Sequence, residues 1–166
     1  MSLDIKIGYL KSLQGYLWHS GYASGSIVSP LFPDVHTSLH SWHTAGITII
    51  IYSSGSVAAQ KLLFKYTNAA SAAEKDLNPL IADYFDTVNA GLKNEKGSYE
   101  RIATTRADVE VGKWLFLSDN VREVEAAREA GMKSFVVVRE GNGVLSEMEK
   151  ESNVLVESFE EIEIRK

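Results

Sequence analysis

The chain has 166 residues with a net charge of −5, and 45% of the residues are hydrophobic while 23% are charged. This length suits one globular domain with a buried core. The negative charge and the scattered lysines and arginines argue against general nucleic-acid binding. The absence of cysteine excludes disulfides and thiol catalysis. There is no apolar run of about eighteen residues and no signal-peptide pattern. We therefore expect no membrane association and a cytoplasmic protein, with the nucleus as the alternative compartment.

The first residues differ in character from the rest of the chain. Residues 1–29 are rich in aromatic residues and then in glycine and serine, which predicts a helix and a linker but no strand of the core sheet. Residues 33–46 predict a helix that ends at Gly46. We expect the core domain to occupy residues 30–166.

From Thr48 onward, strand patterns alternate with helix patterns. Continuous β-branched runs such as "ITIIIY" are typical of strands that are covered on both faces. Short connections between such strands and the following helices predict an α/β fold with a doubly wound parallel sheet. The sequence predicts strands at 47–52, 113–118, 134–139 and 153–158, helices at 57–66 and 120–131, and a helical or loop excursion at 67–80.

The first of these strands ends in Ser53-Ser54-Gly55. In parallel α/β sheets, ligands bind beyond the carboxyl ends of the strands. A helix N-terminus with nearby hydroxyl groups offers donors to a phosphate, and glycine lets the backbone approach it. The alternative is that one of the serines only caps the following helix.

Ser118-Asp119-Asn120 follows a second strand. A carboxylate at a strand end suits Mg²⁺, which prefers oxygen ligands and keeps several waters. Here too, the alternative is that Asp119 or Asn120 caps the next helix. Glu123 lies one helical turn further on and can supply a second oxygen near the metal.

A lysine near this site would neutralise phosphate charge. Lys93 follows a glycine turn, and Lys96 is close enough in sequence that spacing alone does not decide between them.

His36, His40 and His43 share one helix face, which is a spacing that metal ligands can have. They lie beside an apolar stripe and have no further acidic partner in that helix beyond Asp34, so we do not interpret them as a metal site. No G-x-G-x-x-G fingerprint indicates a dinucleotide fold. A flavodoxin-like or receiver-like domain is a weaker alternative, because no acidic cluster is visible at the first strand end.

The order of these polar strand ends resembles that of the haloacid-dehalogenase-like hydrolases. A more specific resemblance, from Leu10 to about Arg139, is to the enolase-phosphatase E1 family, the acireductone synthases of methionine salvage. It is carried by "LKSLQGYLWHSGYASG", "FPDV", "SWHTAGI", "IYSSGSVAAQKLLF", "YFDT", "FLSDN" and "AAREAGM".

The resemblance implies a function. Such enzymes enolise 2,3-diketo-5-methylthiopentyl-1-phosphate and then remove its phosphate in the presence of Mg²⁺. By resemblance, Ser53 and Ser54, with Gly55, contact the substrate phosphate. Lys93 corresponds to the catalytic lysine, and Asp119 is the Mg²⁺ ligand.

One departure from the family pattern concerns the nucleophile. The family uses an aspartate in an Asp-x-Glu-Gly pattern at the end of a first core strand, followed by a helical cap. Asp4 in "LDIKIG" is preceded by too few residues to complete such a strand. We therefore interpret residues 1–29 as the end of the cap, and we expect a core without its first strand and a chain that is inactive alone.

Two consequences follow from that interpretation. The alternative function is a non-catalytic module that binds or senses phosphate esters. A missing central strand would also leave its two neighbours unpaired, so that copies of the chain would associate through the exposed gap.

Overall fold

The computed structural model of the protein describes residues 17–18, 20–71 and 74–164. Residues 1–16, with Asp4 and most of the predicted cap remnant, lie outside the described residues. Residues 20–23 are helical and lead into a turn at residues 24 and 25. The chain then enters the core, where Ser29 forms an isolated parallel bridge with Thr67.

Helices and strands alternate through the core, as short βα connections require. Three single-turn 3₁₀ helices, at Asn78–Leu80, Val111–Lys113 and Phe159–Glu161, lie between them in the described residues. In chain order, the described helices and strands are α1 (Pro33–Thr44), β1 (Ile49–Tyr52), α2 (Val57–Lys65), β2 (Ile81–Phe85), α3 (Lys96–Thr104), β3 (Leu115–Ser118), α4 (Val121–Glu129), β4 (Lys133–Val137), α5 (Glu147–Ser152) and β5 (Leu155–Val156).

Helix α1 shows how local sequence sets these boundaries. Pro33 occupies its first turn, where a missing N–H costs nothing, and Asp34 complements the positive end of the helix. The helix ends just before Gly46, whose φ of 79° is easily reached only by glycine. The predicted helix at 33–46 is thus confirmed, with its end two residues earlier.

The described strands pair into two separate parallel sheets. One sheet contains β1 and β2, and the other has the order β3-β4-β5. Ile51 lies opposite Tyr84 in the first sheet, and Leu117 lies opposite Phe135 in the second. Within the described residues, β1 and β3 do not pair with each other. Each therefore has a backbone edge that is unpaired by any described strand.

Helices on both faces hold the two sheets side by side. On one face, Trp42 of α1 packs against the buried cluster that contains Ile49 of β1 and against the buried cluster that contains Val137 of β4. Tyr99 of α3 contacts the neighbouring residues Tyr52 and Phe116, with ring centroids 5.6 and 4.9 Å away. Because successive strand residues point to opposite faces, Tyr99 and Trp42 lie on opposite faces of the sheets.

The start of α1 is tied to the last described part of the core. The Asp34 carboxylate lies 2.5 Å from Arg139 Nη2 and accepts hydrogen bonds from the Phe159 backbone N–H at 2.7 Å and the Ser158 hydroxyl at 3.2 Å. The Arg139 guanidinium lies over the rings of Phe32 and Phe159. Burial raises the pKa of Asp34, but the hydrogen bonds from Arg139 and Phe159 outweigh it and hold the pKa below its ordinary value.

The predicted α/β class and all four predicted strands are confirmed, whereas the sequence interpretation missed β2. Its residues Ala82 and Asp83 are exposed between buried neighbours, so the strand has neither a continuous apolar run nor strict alternation. The predicted strand at 113–118 starts two residues late, because Val111–Lys113 forms a 3₁₀ turn. No helix among the described residues has the length and apolar character needed to cross a membrane.

Candidate functional site

Lys93 lies where the carboxyl ends of β1 and β3 approach each other. Its Nζ is 2.5 Å from Glu123 Oε2, and the Ser118 hydroxyl donates to the same oxygen at 2.8 Å. The Lys93 ammonium also lies 5.8 Å from the ring centroid of Tyr52, the last residue of β1. The loop after β2 therefore carries Lys93 to the strand ends that hold the other polar residues.

The structure separates Lys93 from Lys96, which spacing alone could not do. Lys96 is the first residue of α3 and pairs with Glu100 one turn along the same helix, with about half of each side chain exposed. The Lys93 side chain is only 19% exposed and that of Glu123 14%. Lys96 thus belongs to a solvated helix face, and Lys93 points toward the strand ends.

The Ser53-Ser54-Gly55 loop forms a tight turn at the end of β1. The Ser53 N–H donates to Phe85 O at 3.1 Å, and the Ser53 hydroxyl accepts from the Gly55 N–H, also at 3.1 Å. Ser54 is exposed. The residue that caps α2 is Ser56, whose hydroxyl accepts from Ala59 N–H at 3.3 Å. Neither Ser53 nor Ser54 is used as the helix cap, so both hydroxyl groups are left to the loop.

The positive end of α2 already has a carboxylate. Asp86, at the end of β2, accepts from the Val57 N–H at 3.1 Å and from the N–H groups of Val88 and Asn89. Burial raises the pKa of Asp86, but these backbone donors outweigh it and leave the pKa below its ordinary value. An anion at this edge would therefore bind to the serine loop and Lys93 rather than to the N–H of Val57.

Gln60 was not singled out from the sequence, yet it holds the serine loop from behind. Its Nε2 donates to Gly55 O at 2.8 Å and to Phe85 O at 2.9 Å, in a buried position. Its Oε1 is buried with no partner among the described residues. Because the amide nitrogen already contacts two carbonyls, flipping the amide would bring oxygen against oxygen. Gln60 lies one turn into α2, and nothing in the sequence around it indicates that its amide supports the preceding loop.

Asp119 lies at the end of β3 with its carboxylate exposed. The cap of α4 is Asn120, whose Oδ1 accepts from Arg122 N–H at 3.0 Å, so Asp119 has no capping role. Asn142 Nδ2 donates to Asp119 Oδ2 at 3.1 Å, and Asn142 Oδ1 accepts from the Arg139 N–H at 2.6 Å. The sequence interpretation missed Asn142, which fixes one face of the Asp119 carboxylate.

The donor set at Asp119 suits a hard cation. Within the described residues, no group of three or more His, Asp or Glu side chains is placed to hold a metal ion. Mg²⁺ is often held by one or two carboxylates, with waters and substrate phosphate completing its shell. An exposed carboxylate with one oxygen bonded to Asn142 fits that mode of binding, and it does not fit a site made wholly of protein ligands.

The histidines of α1 are spread over different environments. His36 is half-buried, and its Nε2 has no partner among the described residues. Burial lowers the pKa of His36, the nearby His40 lowers it further, and Glu74 opposes the shift. His40 and His43 are exposed. Their positions favour a packing role for His36 and a surface role for the other two.

An open groove of about 700 Å³ lies elsewhere, beside α2 and the outer edge of β2. Its lining includes Lys61 and Lys65 but also Asp76 and Asp83, so it presents both signs of charge. Ser53, Lys93 and Asp119 do not line it. The groove is therefore separate from the polar strand ends.

Proteins of similar sequence identify the family of this chain. No protein-family model matches the chain. The chain is 58% identical over 172 residues to the enolase-phosphatase E1 of Botryotinia fuckeliana (strain B05.10), covering 98% of this chain and 67% of that protein. The chain belongs to the enolase-phosphatase E1 family. The match extends over both polar strand ends and the lysine loop between them.

Solved structures support the same assignment. The crystal structure of the UTR4 protein from Saccharomyces cerevisiae superposes with a TM-score of 0.81 at 36% identity, covering 96% of this chain and 69% of that one. A dehalogenase structure superposes with a TM-score of 0.63 at 19% identity, covering 94% of this chain and 63% of that one, which shows the fold alone. The predicted haloacid-dehalogenase-like core of this enolase-phosphatase family member is confirmed.

Proposed function

We propose that this chain carries the phosphate-binding and metal-binding part of a Mg²⁺-dependent enolase-phosphatase of methionine salvage. Its substrate would be 2,3-diketo-5-methylthiopentyl-1-phosphate, which is enolised and then loses its phosphate to give the acireductone. The observation that carries the proposal is the position of Lys93 between the ends of β1 and β3, 2.5 Å from Glu123 and 5.8 Å from the Tyr52 ring. This position brings a cation to the place where both strand ends present polar side chains.

Each residue group has a distinct task in this proposal. The Ser53 and Ser54 hydroxyls donate hydrogen bonds to the substrate phosphate, since neither is needed to cap α2, and Gly55 lets the loop backbone approach it. Lys93 balances the negative charge of the phosphate, and Glu123 holds the lysine extended until substrate arrives. Asp119 holds Mg²⁺, which supplies further charge neutralisation at the phosphate, while Asn142 orients the Asp119 carboxylate.

The attacking carboxylate is not matched by a described residue of the chain. Asp34 and Asp86 are the first carboxylates to consider in its place, and both are engaged in structural hydrogen bonds. Asp34 is bonded to Arg139 and Phe159, and Asp86 accepts three backbone N–H groups. Both also have pKa values below the ordinary range. We therefore expect the isolated chain to bind phosphate esters without hydrolysing them.

The edges of β1 and β3 that no described strand pairs with would give this chain a way to self-associate. A parallel strand seated between them would satisfy backbone groups on both sides and cover a strand, β3, whose four residues are all only partly buried. Copies of the chain would meet at this gap until a strand fills it. Sedimentation velocity over a concentration series would measure this association, and a strictly monomeric chain with a sharp, high melting transition would contradict it.

The catalytic proposal is tested in a longer chain. The chain is joined to the N-terminal segment of the Botryotinia fuckeliana relative, and phosphate release from the diketone is measured with Mg²⁺. We expect turnover in the chimera and none in the isolated chain. Asp119→Asn should abolish Mg²⁺-dependent turnover and Lys93→Ala should lower it strongly, whereas Lys96→Ala is the matched control and should leave it unchanged. Equal rates in all variants would remove the site assignment.

A non-catalytic phosphate-ester module is the second candidate, and the same variants separate it from the enzyme. Titration of the isolated chain with inorganic phosphate, followed by ³¹P NMR, should show binding that Ser54→Ala weakens. In the active chimera, Ser54→Ala should mainly raise KM, because it removes a contact already present in the ground state. Phosphate binding by an inactive chimera would favour the binding module, and turnover would favour the enzyme.

A further inference from the structure

The segment that carries Lys93 is fixed by an unusual set of hydrogen bonds. Four successive carbonyls accept from four different side chains. A loop carbonyl that bonds to water can move freely, whereas this backbone cannot shift without breaking several bonds at once. The bonds run from Arg101 Nη1 to Ala90 O, from Tyr52 OH to Gly91 O at 2.7 Å, from Ser98 Oγ to Leu92 O at 2.8 Å, and from Tyr99 OH to Lys93 O at 2.6 Å.

Two of the four donors are tyrosines that also contact each other. Tyr52 ends β1 and Tyr99 lies in α3, and their rings meet edge to face at 79°. Tyr99 is almost completely buried, with 1% of its surface exposed. Burial raises the pKa of both tyrosines, so both hydroxyls stay protonated and remain donors at neutral pH. The pair links the first sheet and α3 to the same three-residue stretch, Gly91 to Lys93.

Tyr52 has a second contact with this stretch. Its ring lies below the Lys93 ammonium at 5.8 Å, within the range of a cation–π interaction. Tyr52 thus holds the backbone of the lysine loop with its hydroxyl and faces the end of the lysine side chain with its ring. The Lys93 ammonium is then set between the Tyr52 ring and the Glu123 carboxylate.

We infer that Tyr52 and Tyr99 are positioning residues for Lys93, which hold its backbone so that the ammonium stays at the strand ends before any ligand binds. The role of Lys93 toward a phosphate rests on the proposed function, but its placement by the tyrosines does not. Positioning in advance matters because a cation that must first be ordered loses part of its binding energy to that ordering. The two hydroxyls act on the lysine through its loop and do not touch a substrate.

Tyr84 offers a matched control in the same molecule. It is a buried tyrosine on β2, its hydroxyl donates to Asn78 Oδ1 at 2.8 Å, and Lys61 Nζ lies 5.7 Å from its ring centroid. It therefore has the same kinds of contact as Tyr52 without a bond to the lysine loop. Tyr84→Phe removes one hydroxyl from the core and leaves residues 90–93 held as before.

The experiment is competitive acetylation of lysines in the folded chain, read by peptide mass spectrometry. In the wild type, Lys93 should react more slowly than Lys96, because the two side chains are 19% and 51% exposed. Tyr52→Phe and Tyr99→Phe should each raise the rate at Lys93 by about two- to tenfold, the range expected for the loss of one neutral hydrogen bond. Lys96 should be unchanged, and Tyr84→Phe should leave Lys93 unchanged. Tyr52→Leu, which also removes the ring, should exceed Tyr52→Phe.

The outcomes separate positioning from general packing. Circular dichroism confirms that each variant is folded, and Tyr99→Phe carries the test if Tyr52→Phe does not fold. An unchanged Lys93 rate in both tyrosine variants would overturn the inference. So would an equal rise in the Tyr84→Phe control, since that would indicate general loosening of the core.

Repeating the acetylation with inorganic phosphate and Mg²⁺ distinguishes this inference from the proposed function. Protection of Lys93 by phosphate reports ligand binding, and the tyrosine effect without ligand reports positioning. A tyrosine effect without protection would remove the proposed role of Lys93 and leave its positioning in place. Protection without a tyrosine effect would support the role of Lys93 toward phosphate and overturn its positioning by the tyrosines.

Discussion

Two loops at the same edge of the sheets are built in different ways. Along residues 90–93, each carbonyl accepts a hydrogen bond from a side chain. In the serine loop after β1, Gln60 holds Gly55 O and Phe85 O holds the Ser53 N–H, while Ser54 is exposed. The lysine is thus held in place in advance, whereas the serine loop keeps donors free for a ligand. The cation is fixed and the hydroxyls can adjust.

Alanine substitution of the glycines in the two loops should give the largest difference in the free energy of unfolding. Gly91 has a φ of 113°, and an added Cβ would lie 2.5 Å from Ser98 Oγ. Gly91→Ala should lower the free energy of unfolding by about 2–4 kcal/mol through backbone strain and this clash. At Gly55 the nearest atom to an added Cβ is Ser53 Oγ at 3.6 Å, an ordinary contact. Urea unfolding of the two alanine variants measures the difference, and equal losses would break the comparison.

Removing the ion-pair partners of Lys93 and Lys96 should give a smaller difference in the free energy of unfolding. Glu123→Gln should lower the free energy of unfolding by about 1–2 kcal/mol, because it leaves the half-buried Lys93 ammonium without its counter-charge. Glu100→Gln removes the exposed partner of Lys96 and should cost at most about 0.5 kcal/mol. Thermal unfolding of both variants at moderate salt tests this ranking. A larger effect from Glu100→Gln would show that Lys93 is not the better-held lysine.

Low pH should destabilise the fold next to the serine loop by protonating Asp86. This loss of stability should be smaller than those predicted for Gly91→Ala and Glu123→Gln. The pKa of Asp86 in the folded chain lies below its ordinary value. The folded chain therefore keeps this carboxylate ionised at pH values at which the unfolded chain has already bound a proton. Its stabilisation is present above the unfolded pKa of about 3.9 and is lost as the pH falls through the folded pKa. Asp86→Asn should therefore cost about 1 kcal/mol at neutral pH. Urea unfolding from pH 7 to pH 3 should show the difference from wild type shrinking below about pH 5, and a difference that stays constant to pH 3 would contradict it.

The sequence predicted the strands whose residues are continuously apolar, and it did so for a physical reason. β1 and β3 are runs of β-branched or large apolar residues, which few other structures accommodate. β2 was missed because Ala82 and Asp83 face solvent beside its outer edge. The pairing of the described strands into two separate sheets was not predicted, since no local pattern records which strands are neighbours.

Candidate site residues could be proposed from the sequence where a polar cluster directly follows an apolar run. Ser53, Ser54 and Asp119 are such candidates, and their roles stay predictions. Spacing alone could not decide between Lys93 and Lys96, and only the family resemblance favoured Lys93. The placement of Lys93 depends on bonds from Tyr52 and Tyr99, which lie far apart in sequence. Asn142 contacts Asp119 across 23 positions, and only the folded chain brings the two together.

The Asp34 contacts also set an order on folding. This carboxylate bonds to Arg139 and Phe159, which follow it by 105 and 125 positions. During synthesis, α1 leaves the ribosome long before either partner exists, so its first turn has no anchor until the residues through Phe159 have emerged. Contacts of such long range carry the largest loop-closure cost and form late. The first turn of α1 is therefore among the last parts of the described core to be secured, whereas its apolar residues Val35 and Leu39 can pack with Ile49, Ile81 and Tyr84 much earlier in synthesis.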